Sequence, residues 1–317
     1  MKIGYFLSSE EWGPKDLVSQ AVKAKEAGFE GLWISDHYHP WNNEQGHSGF
    51  VWGTIGAIAV AAPGMYVTTA VTCPTMRIHP AVIAQAAATS AVLLNGRFSF
   101  GIGTGEALNE HIFGDAWPGA DERLEMLEEA VEVIRTLWQG GVQDHRGRHY
   151  RVEHARVYDL PEETIPILIS GFGPKAVELA ARIGDGFCAV TPDAEAVQGF
   201  RSQGGGEKPV QGGLKVCWGE DEQEAVGHVA RLWPNEALPG ELAQILPTPE
   251  HFEQASQLVT PEMLADEIVC GPDVERHVAA IQEYADAGFD ELYVNQIGPD
   301  QDAFFAAYRD QVLPRIG

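Results

Sequence analysis

The sequence predicts an α/β fold, specifically a (β/α)8 TIM barrel. Short apolar runs alternate with helix-length amphipathic segments, and eight such runs fit into 317 residues. The runs are rich in β-branched and aromatic residues on both faces, which is typical of strands in a buried parallel sheet. Strands that alternate with helices over roughly 250 residues or more are typical of this barrel. A composition that is 44% apolar supplies a sizeable core and excludes a disordered or fibrous chain.

The order of the elements follows from these patterns. The predicted strands are Lys2–Leu7, Gly31–Ser35, Tyr66–Val71, Phe98–Gly103, Ile165–Ser170, Gly186–Val190, Gly213–Cys217 and Glu291–Gln296. Several helical stretches open with Asp or Pro and stop at Gly, as helices commonly do. The predicted helices are Asp16–Ala27, Pro80–Leu94, Asp121–Trp138, Pro174–Ile183, Asp221–Leu232, Pro272–Ala287 and Gln301–Val312.

Two segments are longer than the loops that a bare barrel needs. Residues 37–63 follow the second strand, and residues 233–260 follow the helix after the seventh strand. Long ordered insertions on a barrel usually build the substrate pocket. We therefore expect one domain over residues 1–317, with the second insertion shaping the pocket. A doubly wound sheet is the competing fold, but Gly101-Ile-Gly-Thr-Gly-Glu carries its third glycine one position too early for the dinucleotide fingerprint.

Charge and cysteine content exclude several classes of partner. The chain has 46 acidic and 21 basic residues, a formal net charge of −25 that repels phosphate backbones and anionic lipid headgroups. Nucleic acid and membranes are therefore not expected as partners. The four cysteines lack CxxC spacing, which predicts isolated buried thiols in a reducing compartment. Because the first residues fit no secretory signal and no apolar run could span a bilayer, we expect a cytoplasmic protein.

The predicted second strand ends in a polar and aromatic cluster, Ser35-Asp-His-Tyr-His-Pro-Trp. Barrel active sites lie at the C-terminal ends of the strands, and histidine exchanges protons near neutral pH. Asp36 and His37 therefore form a candidate acid/base unit; in the alternative, Asp36 caps a turn and His37 is merely half-buried. His37, His39 and His47 lack an obvious third ligand, so no metal is expected.

Two further strand ends carry glycines beside polar groups. Glu106 follows Gly-Thr-Gly after the fourth strand, where a carboxylate would project into the barrel mouth and the glycines would let the backbone approach a flat ring. The alternative is that Thr104 or Glu106 caps a short helix. Gly171-Phe-Gly-Pro after the fifth strand opens a helix whose free N–H groups could receive a phosphate, although an ordinary loop would use similar residues.

Together these motifs resemble the luciferase-like oxidoreductases, and more closely the branch that uses the deazaflavin coenzyme F420. The resemblance also rests on Val71-Thr-Cys-Pro-Thr-Met-Arg-Ile-His-Pro, Arg182-Ile-Gly-Asp-Gly-Phe and Ala287-Gly-Phe-Asp-Glu-Leu. It implies a barrel of the bacterial luciferase type and hydride transfer between the deazaflavin and a substrate carbon. An FMN-dependent monooxygenase of the same superfamily is the alternative.

The resemblance also implies residue roles. His37 would accept the proton of a substrate hydroxyl, Glu106 would act as an acid near the ring nitrogen that gains a proton, and Trp41 would hold the substrate against the ring. Ala70-Val71 falls where the family carries a non-proline cis peptide. The implied cofactor-binding residues are Asp36, Ala70, Val71, Cys73, Gly105, Asn109, Ser170, Gly171, Phe172, Gly173 and Val190.

The sequence departs from the sugar-phosphate dehydrogenases of this branch, which hold the substrate phosphate with two lysines and an arginine. The corresponding segments, residues 190–195, 242–255 and 266–271, contain no lysine or arginine. A dianionic phosphate without a cationic partner would be held poorly. We therefore expect a small, non-phosphorylated alcohol, ketone or activated alkene as substrate, with a sugar 6-phosphate as the alternative.

Two expectations concern the cofactor tail and the assembly. F420 is anionic, so the acidic chain needs local cations for it, and Arg77 or Lys175 are the candidates. The helix that begins at Pro80 carries an alanine-rich surface that permits close packing against a second copy. We expect a homodimer, although ordinary packing on the barrel wall would use the same surface.

Overall fold

The computed structural model describes residues 1–316 and places a closed barrel of eight parallel strands at the centre of the protein. The barrel strands are β1 (Lys2–Leu7), β2 (Gly31–Ile34), β3 (Tyr66–Thr69), β4 (Phe98–Ile102), β5 (Ile167–Ser170), β6 (Gly186–Ala189), β7 (Val210–Cys217) and β8 (Glu291–Gln296). Strand β8 pairs with both β1 and β7, which closes the barrel. The predicted fold class is confirmed, and the predicted strands differ from the observed ones only at their ends.

Helices surround the barrel. They are α1 (Pro14–Ala27), α2 (Val51–Ala61), α3 (Pro80–Leu93), α4 (Ala107–Glu110), α5 (Ala120–Trp138), α6 (Pro174–Ile183), α7 (Ala194–Phe200), α8 (Glu222–Leu232), α9 (Leu242–Ile245), α10 (Pro249–Ala255), α11 (Pro261–Glu267), α12 (Val274–Asp286) and α13 (Gln301–Ala307). Asp193, Asp221 and Asp273 accept backbone N–H bonds at the starts of α7, α8 and α12. Helix α1 stops at Gly28, whose φ of 93° lies in the left-handed region.

The structure corrects the sequence prediction in several places, and the short helices α4, α7, α9, α10 and α11 were also not predicted. Residues 51–61, predicted as part of the first insertion, form α2; the helix is apolar and begins after Phe50, which has no polar atom to signal a cap. Residues 143–146 and 151–155 form an antiparallel hairpin that the alternation pattern did not indicate. The last predicted helix is α-helical only to Ala307 and continues as a π-helical turn over Tyr308–Val312.

The barrel interior is filled by side chains rather than open. Phe6, Trp33, Leu168, Cys188 and Tyr293 form a cluster that we call the barrel floor, and the rings of Trp33 and Tyr293 stack with centroids 5.0 Å apart. All four cysteines lie within the described residues and are buried and free, as predicted. Within residues 1–316, no helix is both long and apolar enough to cross a membrane.

Candidate active site

His37 lies beyond the end of β2 and is held by a carboxylate that follows β1. Its Nε2 lies 3.3 Å from Oε1 of Glu10, whose side chain is 3% exposed. The other carboxylate oxygen of Glu10 accepts hydrogen bonds from the hydroxyls of Ser8 (2.8 Å) and Ser35 (2.7 Å). Glu10 is therefore fixed in place, and it can orient the imidazole and stabilise a positive charge on it.

Asn109 joins the two residues that were predicted to handle protons. Its Nδ2 lies 3.1 Å from Nδ1 of His37 and 3.3 Å from Oε2 of Glu106. Its Oδ1 accepts hydrogen bonds from the backbone N–H groups of Tyr38 and His39, at 2.8 and 3.1 Å. Nδ1 of His37 also lies 3.2 Å from the carbonyl oxygen of His39, so the imidazole is held by contacts at both ring nitrogens.

Glu106 sits at the N-cap position of α4, but its carboxylate makes no capping hydrogen bond with any described residue. The capping alternative therefore does not describe this side chain. The preceding Gly105 has a φ of 77°, and a Cβ there would lie 2.6 Å from Sγ of Cys73. Only glycine fits at this close approach. Burial raises the pKa of Cys73 well above its usual range, so this thiol stays protonated.

Asp36 belongs to a buried ionic network. Its Oδ1 lies 3.0 Å from Nη2 of Arg77, and its Oδ2 accepts a hydrogen bond of 2.8 Å from the Thr72 hydroxyl. The backbone N–H of Arg77 also donates to Oε2 of Glu110 at 2.7 Å. Burial raises the pKa of Glu110 to about 7, against the opposing effect of Arg77. Arg77 therefore serves two buried carboxylates, and the structure does not support it as a partner for the cofactor tail.

The ends of β3, β4 and β5 meet above the barrel floor. The peptide bond between Ala70 and Val71 is cis, as the resemblance implied, and both residues pack against the floor. A Cβ on Gly103 would lie 3.0 Å from the Val71 side chain and 3.7 Å from Ser170. These residues together provide a small, apolar surface at the open end of the barrel.

The loop after β5 provides an exposed rim. Gly173 is the N-cap residue of α6, and in the described part of the chain no atom lies within 4 Å of a Cβ built on it. Phe172 is 62% exposed, whereas a Cβ on Gly171 would overlap Ala176 at 2.4 Å. The backbone here can approach a ligand closely.

The two remaining predicted contacts near this rim have different surroundings. Val190, just beyond β6, is 39% exposed, and its carbonyl accepts a hydrogen bond of 2.9 Å from the hydroxyl of Tyr284. Lys175 forms an exposed ion pair with Asp121 at 2.7 Å. Val190 therefore remains open to a ligand, while Lys175 already has a carboxylate partner.

Arg123 of α5 is a buried cation with neutral partners. It is 6% exposed, donates to the Pro118 carbonyl and to Oε1 of Gln244, and lies 4.6 Å above the ring of Trp117. Within residues 1–316, its Nε has no hydrogen-bond partner and no carboxylate forms an ion pair with it. Burial lowers its pKa against the opposing effect of Glu241, which is the direction expected for a buried charge that a bound anion would stabilise.

The second insertion faces His37 across aromatic side chains. The ring of Trp41 lies 4.9 Å from that of His37 and 5.1 Å from that of Phe252 in α10. Trp41 also packs against a cluster that contains Trp233. Trp233 donates a hydrogen bond of 2.8 Å to Glu11, and burial raises the pKa of Glu11 to about 7. The insertion therefore forms one wall of the mouth.

The sequence reasoning missed Glu10 and Arg123. Glu10 follows β1 directly, so the rule that strand ends carry the chemistry would have found it if it had been applied to the first strand. Arg123 lies in the first turn of α5, away from the strand ends, and no local pattern marks it. Among residues 1–316, no group of three or more His, Cys, Asp or Glu side chains is placed to hold a metal.

Comparison with known proteins identifies the family of this chain. The luciferase-like monooxygenase family matches residues 1–291. The chain belongs to this family. Two luciferase-like relatives are the F420-dependent glucose-6-phosphate dehydrogenases of Microbacterium testaceum (strain StLB037) and Amycolatopsis mediterranei (strain U-32). The first is 35% identical to this chain and the second 33%. Each alignment covers all of this chain, together with 97% of the first relative and 98% of the second.

A solved structure of the same fold is similar over nearly its full length. It is an F420-dependent secondary alcohol dehydrogenase in complex with an F420-acetone adduct, with a TM-score of 0.91 and 27% identity over 100% of this chain and 99% of that one. A coenzyme F420-dependent tetrahydromethanopterin reductase from Methanopyrus kandleri, at 20% identity and a TM-score of 0.79, shares the fold. The predicted family is confirmed.

Proposed function

We propose that the protein is an F420-dependent oxidoreductase that acts on a small, non-phosphorylated alcohol or the corresponding ketone. The observation that carries this proposal is the chain of contacts from Glu10 through His37 and Asn109 to Glu106 at the open end of the barrel. His37 and Glu106 can each hold a proton, and they lie on either side of the Asn109 side-chain amide that contacts both. The F420-dependent relatives and the similarity to a secondary alcohol dehydrogenase support the choice of cofactor and reaction.

The residues at the mouth fit a flat cofactor with an anionic tail. Ala70 and Val71 provide a small apolar surface, and Gly105 leaves no room for a Cβ. The guanidinium of Arg123 is buried and, among residues 1–316, forms no ion pair and leaves its Nε without a partner, so it can receive an anionic group where Arg77 cannot. The residues that we propose to hold the cofactor are Asp36, Ala70, Val71, Cys73, Gly105, Asn109, Arg123, Ser170, Gly171, Phe172, Gly173 and Val190.

The protein's own groups then manage protons and position. F420, when bound, supplies a carbon that exchanges a hydride with the substrate carbon. In the direction of alcohol oxidation, His37 accepts the hydroxyl proton, and Glu10, 3.3 Å from Nε2, stabilises the imidazolium. Glu106 holds a proton on the cofactor side, and Trp41 limits how the substrate lies.

Glucose 6-phosphate is the second candidate substrate, because the relatives named above act on it. Against it, residues 190–195, 242–255 and 266–271 contain no lysine or arginine. A phosphate in a partly desolvated pocket needs such a partner. If the substrate were an activated alkene that accepts the hydride, Glu106 or His37 would donate the proton that completes its reduction.

Cofactor binding followed by turnover tests the proposal. Purified protein is titrated with F420 and, separately, with FMN; binding is followed by F420 fluorescence and by the yellow absorbance of FMN. The F420-loaded enzyme is then mixed with 2-propanol or glucose 6-phosphate, and loss of F420 absorbance is recorded. We expect F420 binding and turnover of the neutral alcohol only. Binding of FMN alone, with oxygen consumption, would overturn the proposal.

We also propose a homodimer that forms through α2 and α3. Four large apolar residues on these adjacent helices or at their ends are exposed: Phe50 (62%), Val60 (78%), Val82 (56%) and Leu93 (48%). A second copy is the occupant that matches an apolar face present on every chain. Sedimentation should give a dimer for the wild type and a monomer for Val60→Glu. Leu258→Glu, at an 85% exposed residue of the second insertion, is the control and should stay dimeric.

Two further proposals concern the chain as a whole. Residues 1–317 act as one domain, because β1 and β8 pair with each other and the insertion 233–260 contacts Trp41 of the barrel mouth. The protein works in the cytoplasm, where four free, buried thiols remain reduced.

A further inference from the structure

A lysine stands inside the mouth of the barrel near the end of β7. Two inward positions on this strand are fixed by contacts: Gln211 accepts a hydrogen bond of 2.8 Å from Trp33 Nε1, and a Cβ on Gly213 would lie 2.7 Å from the same ring. Because side chains alternate along a strand, Lys215 also faces inward. Its Nζ lies 4.8 Å above the ring of Trp233, and its side chain is 15% exposed.

This lysine shares its surroundings with the catalytic histidine. Trp233, which lies under Lys215, packs in the same cluster as Trp41. Trp41 in turn contacts the ring of His37, with centroids 4.9 Å apart. The ammonium and the imidazole therefore border the same aromatic wall, and a substrate that reaches His37 meets this region of the mouth.

The charge of Lys215 is neutralised by a carboxylate from the second insertion. Oε2 of Glu236 lies 3.1 Å from Nζ, and Oε1 accepts a hydrogen bond of 3.3 Å from Nδ2 of Asn235. Asn235 is buried, and its Oδ1 has no partner within the described chain. The carboxylate is therefore held over the lysine by the buried amide of Asn235.

We propose that Glu236 determines the charge of the substrate that this enzyme accepts. By neutralising Lys215 it removes the cation that a phosphate or carboxylate group would need, and an anionic substrate would meet the Glu236 carboxylate instead. Uncharged alcohols do not encounter this repulsion. The inference rests on the proposed function and names its substrate class. In this proposal, discrimination against anionic substrates has two sources: Lys215 is paired with Glu236, and the neighbouring loops contain no lysine or arginine.

The test uses Glu236→Gln, which keeps the side-chain shape and an acceptor for Asn235 but removes the negative charge. Inorganic phosphate is titrated into the F420-loaded enzyme, and binding is followed by calorimetry. We expect phosphate to bind about tenfold or more tightly to the variant than to the wild type, a shift that one freed charge-assisted bond can supply. Addition of Lys215→Met to the variant should abolish the gain.

A matched control keeps this test specific. Glu253→Gln removes a carboxylate from the same insertion, where Glu253 accepts hydrogen bonds from Asn43 at the exposed surface. This control should leave phosphate affinity unchanged. The proposal is overturned if Glu236→Gln binds phosphate no more tightly than the wild type, or if the gain survives the loss of Lys215.

Kinetics provide a second arm. The ratio of kcat/KM for glucose 6-phosphate to that for 2-propanol should rise about tenfold in Glu236→Gln. Phosphate binding reports on Lys215 and Glu236 whether or not an alcohol is turned over. A wild-type enzyme that fails to oxidise alcohols would therefore count against the proposed function, whereas an unchanged phosphate affinity counts against the role of Glu236.

Discussion

The two sides of the barrel mouth are built in different ways. One side, which we call the proton wall, consists of Glu10, His37, Glu106 and Asn109, and its polar groups are linked in a continuous chain of short contacts. Behind it lies a second buried network around Arg77. Such fully connected polar networks fix the positions of their members.

The opposite side, the insertion wall of residues 233–260, is held mainly by aromatic rings. Trp41 packs edge-on against Phe252, and polar groups meet in small separate sets, such as Lys215 with Glu236 and Arg123 with Gln244. A change in one pair leaves the others intact. The proton wall therefore constrains the reaction, whereas the insertion wall can change its substrate preference one pair at a time.

The largest effect is expected for His37→Ala. Loss of the proton acceptor should lower kcat by about 10²–10⁴-fold, a usual range for general acid–base groups, while F420 affinity is largely kept. Steady-state kinetics and F420 titration measure the two quantities. His47→Ala, an exposed residue of the same loop, serves as the control. An unchanged turnover in His37→Ala would remove His37 from the mechanism.

Arg77→Met should test the network behind the proton wall. It leaves Asp36 and Glu110 buried without their cation, and breaking a buried ion pair in this way costs about 3–5 kcal/mol of unfolding free energy. Urea denaturation provides the measurement. Arg135→Met breaks a half-exposed ion pair and should cost at most about 1 kcal/mol. Equal losses in the two variants would show that the network is not stabilised by Arg77.

Glu11 connects the two walls and should make stability depend on pH. Its pKa is raised from 4.5 to about 7 by burial, so its contribution to stability is fully present below pH 4.5 and is lost as the pH rises through about 7. The shift corresponds to about 3 kcal/mol. Denaturation curves of the wild type between pH 5 and 8 should show this loss, and those of Glu11→Gln should show less of it. Parallel curves would contradict the assignment.

The smallest effect is expected for Glu10→Gln, since Glu10 acts through His37. The amide keeps the shape but attracts a proton to the imidazole less strongly than the carboxylate does. We expect kcat to fall about tenfold and the acid limb of the pH–rate profile to move to lower pH. Glu10→Asp should recover part of the rate. A uniform loss of activity with an unmoved pH profile would indicate a purely structural role.

Much of this architecture is visible in the sequence because its signals are local. Strands such as Gly31–Ile34 are apolar along their length, and helices such as α6 begin at proline. Helix α2 is not predictable from the sequence because it is apolar throughout and begins after Phe50, so neither a helical period nor a polar cap marks it.

The candidate site was only partly predictable for a different reason. His37 and Glu106 follow strands and carry their own chemistry, so a strand-end rule finds them. The partners that give them their properties lie far away along the chain: Glu10 is 27 residues from His37, and Lys215 meets Glu236 only because the insertion folds back over β7. Pairings of this kind depend on three-dimensional closure, which no local pattern encodes.

The seam between β1 and β8 has a consequence for how the protein is made. Lys2 pairs with Glu291, and Tyr5 pairs with Val294, so two segments at opposite ends of the barrel sequence must meet before the cylinder closes. During synthesis, β1 and β7 keep unpaired edges until the ribosome has released β8, and exposed edges favour association with other chains. A ligand can therefore bind at the barrel mouth only after nearly all of the chain has been translated.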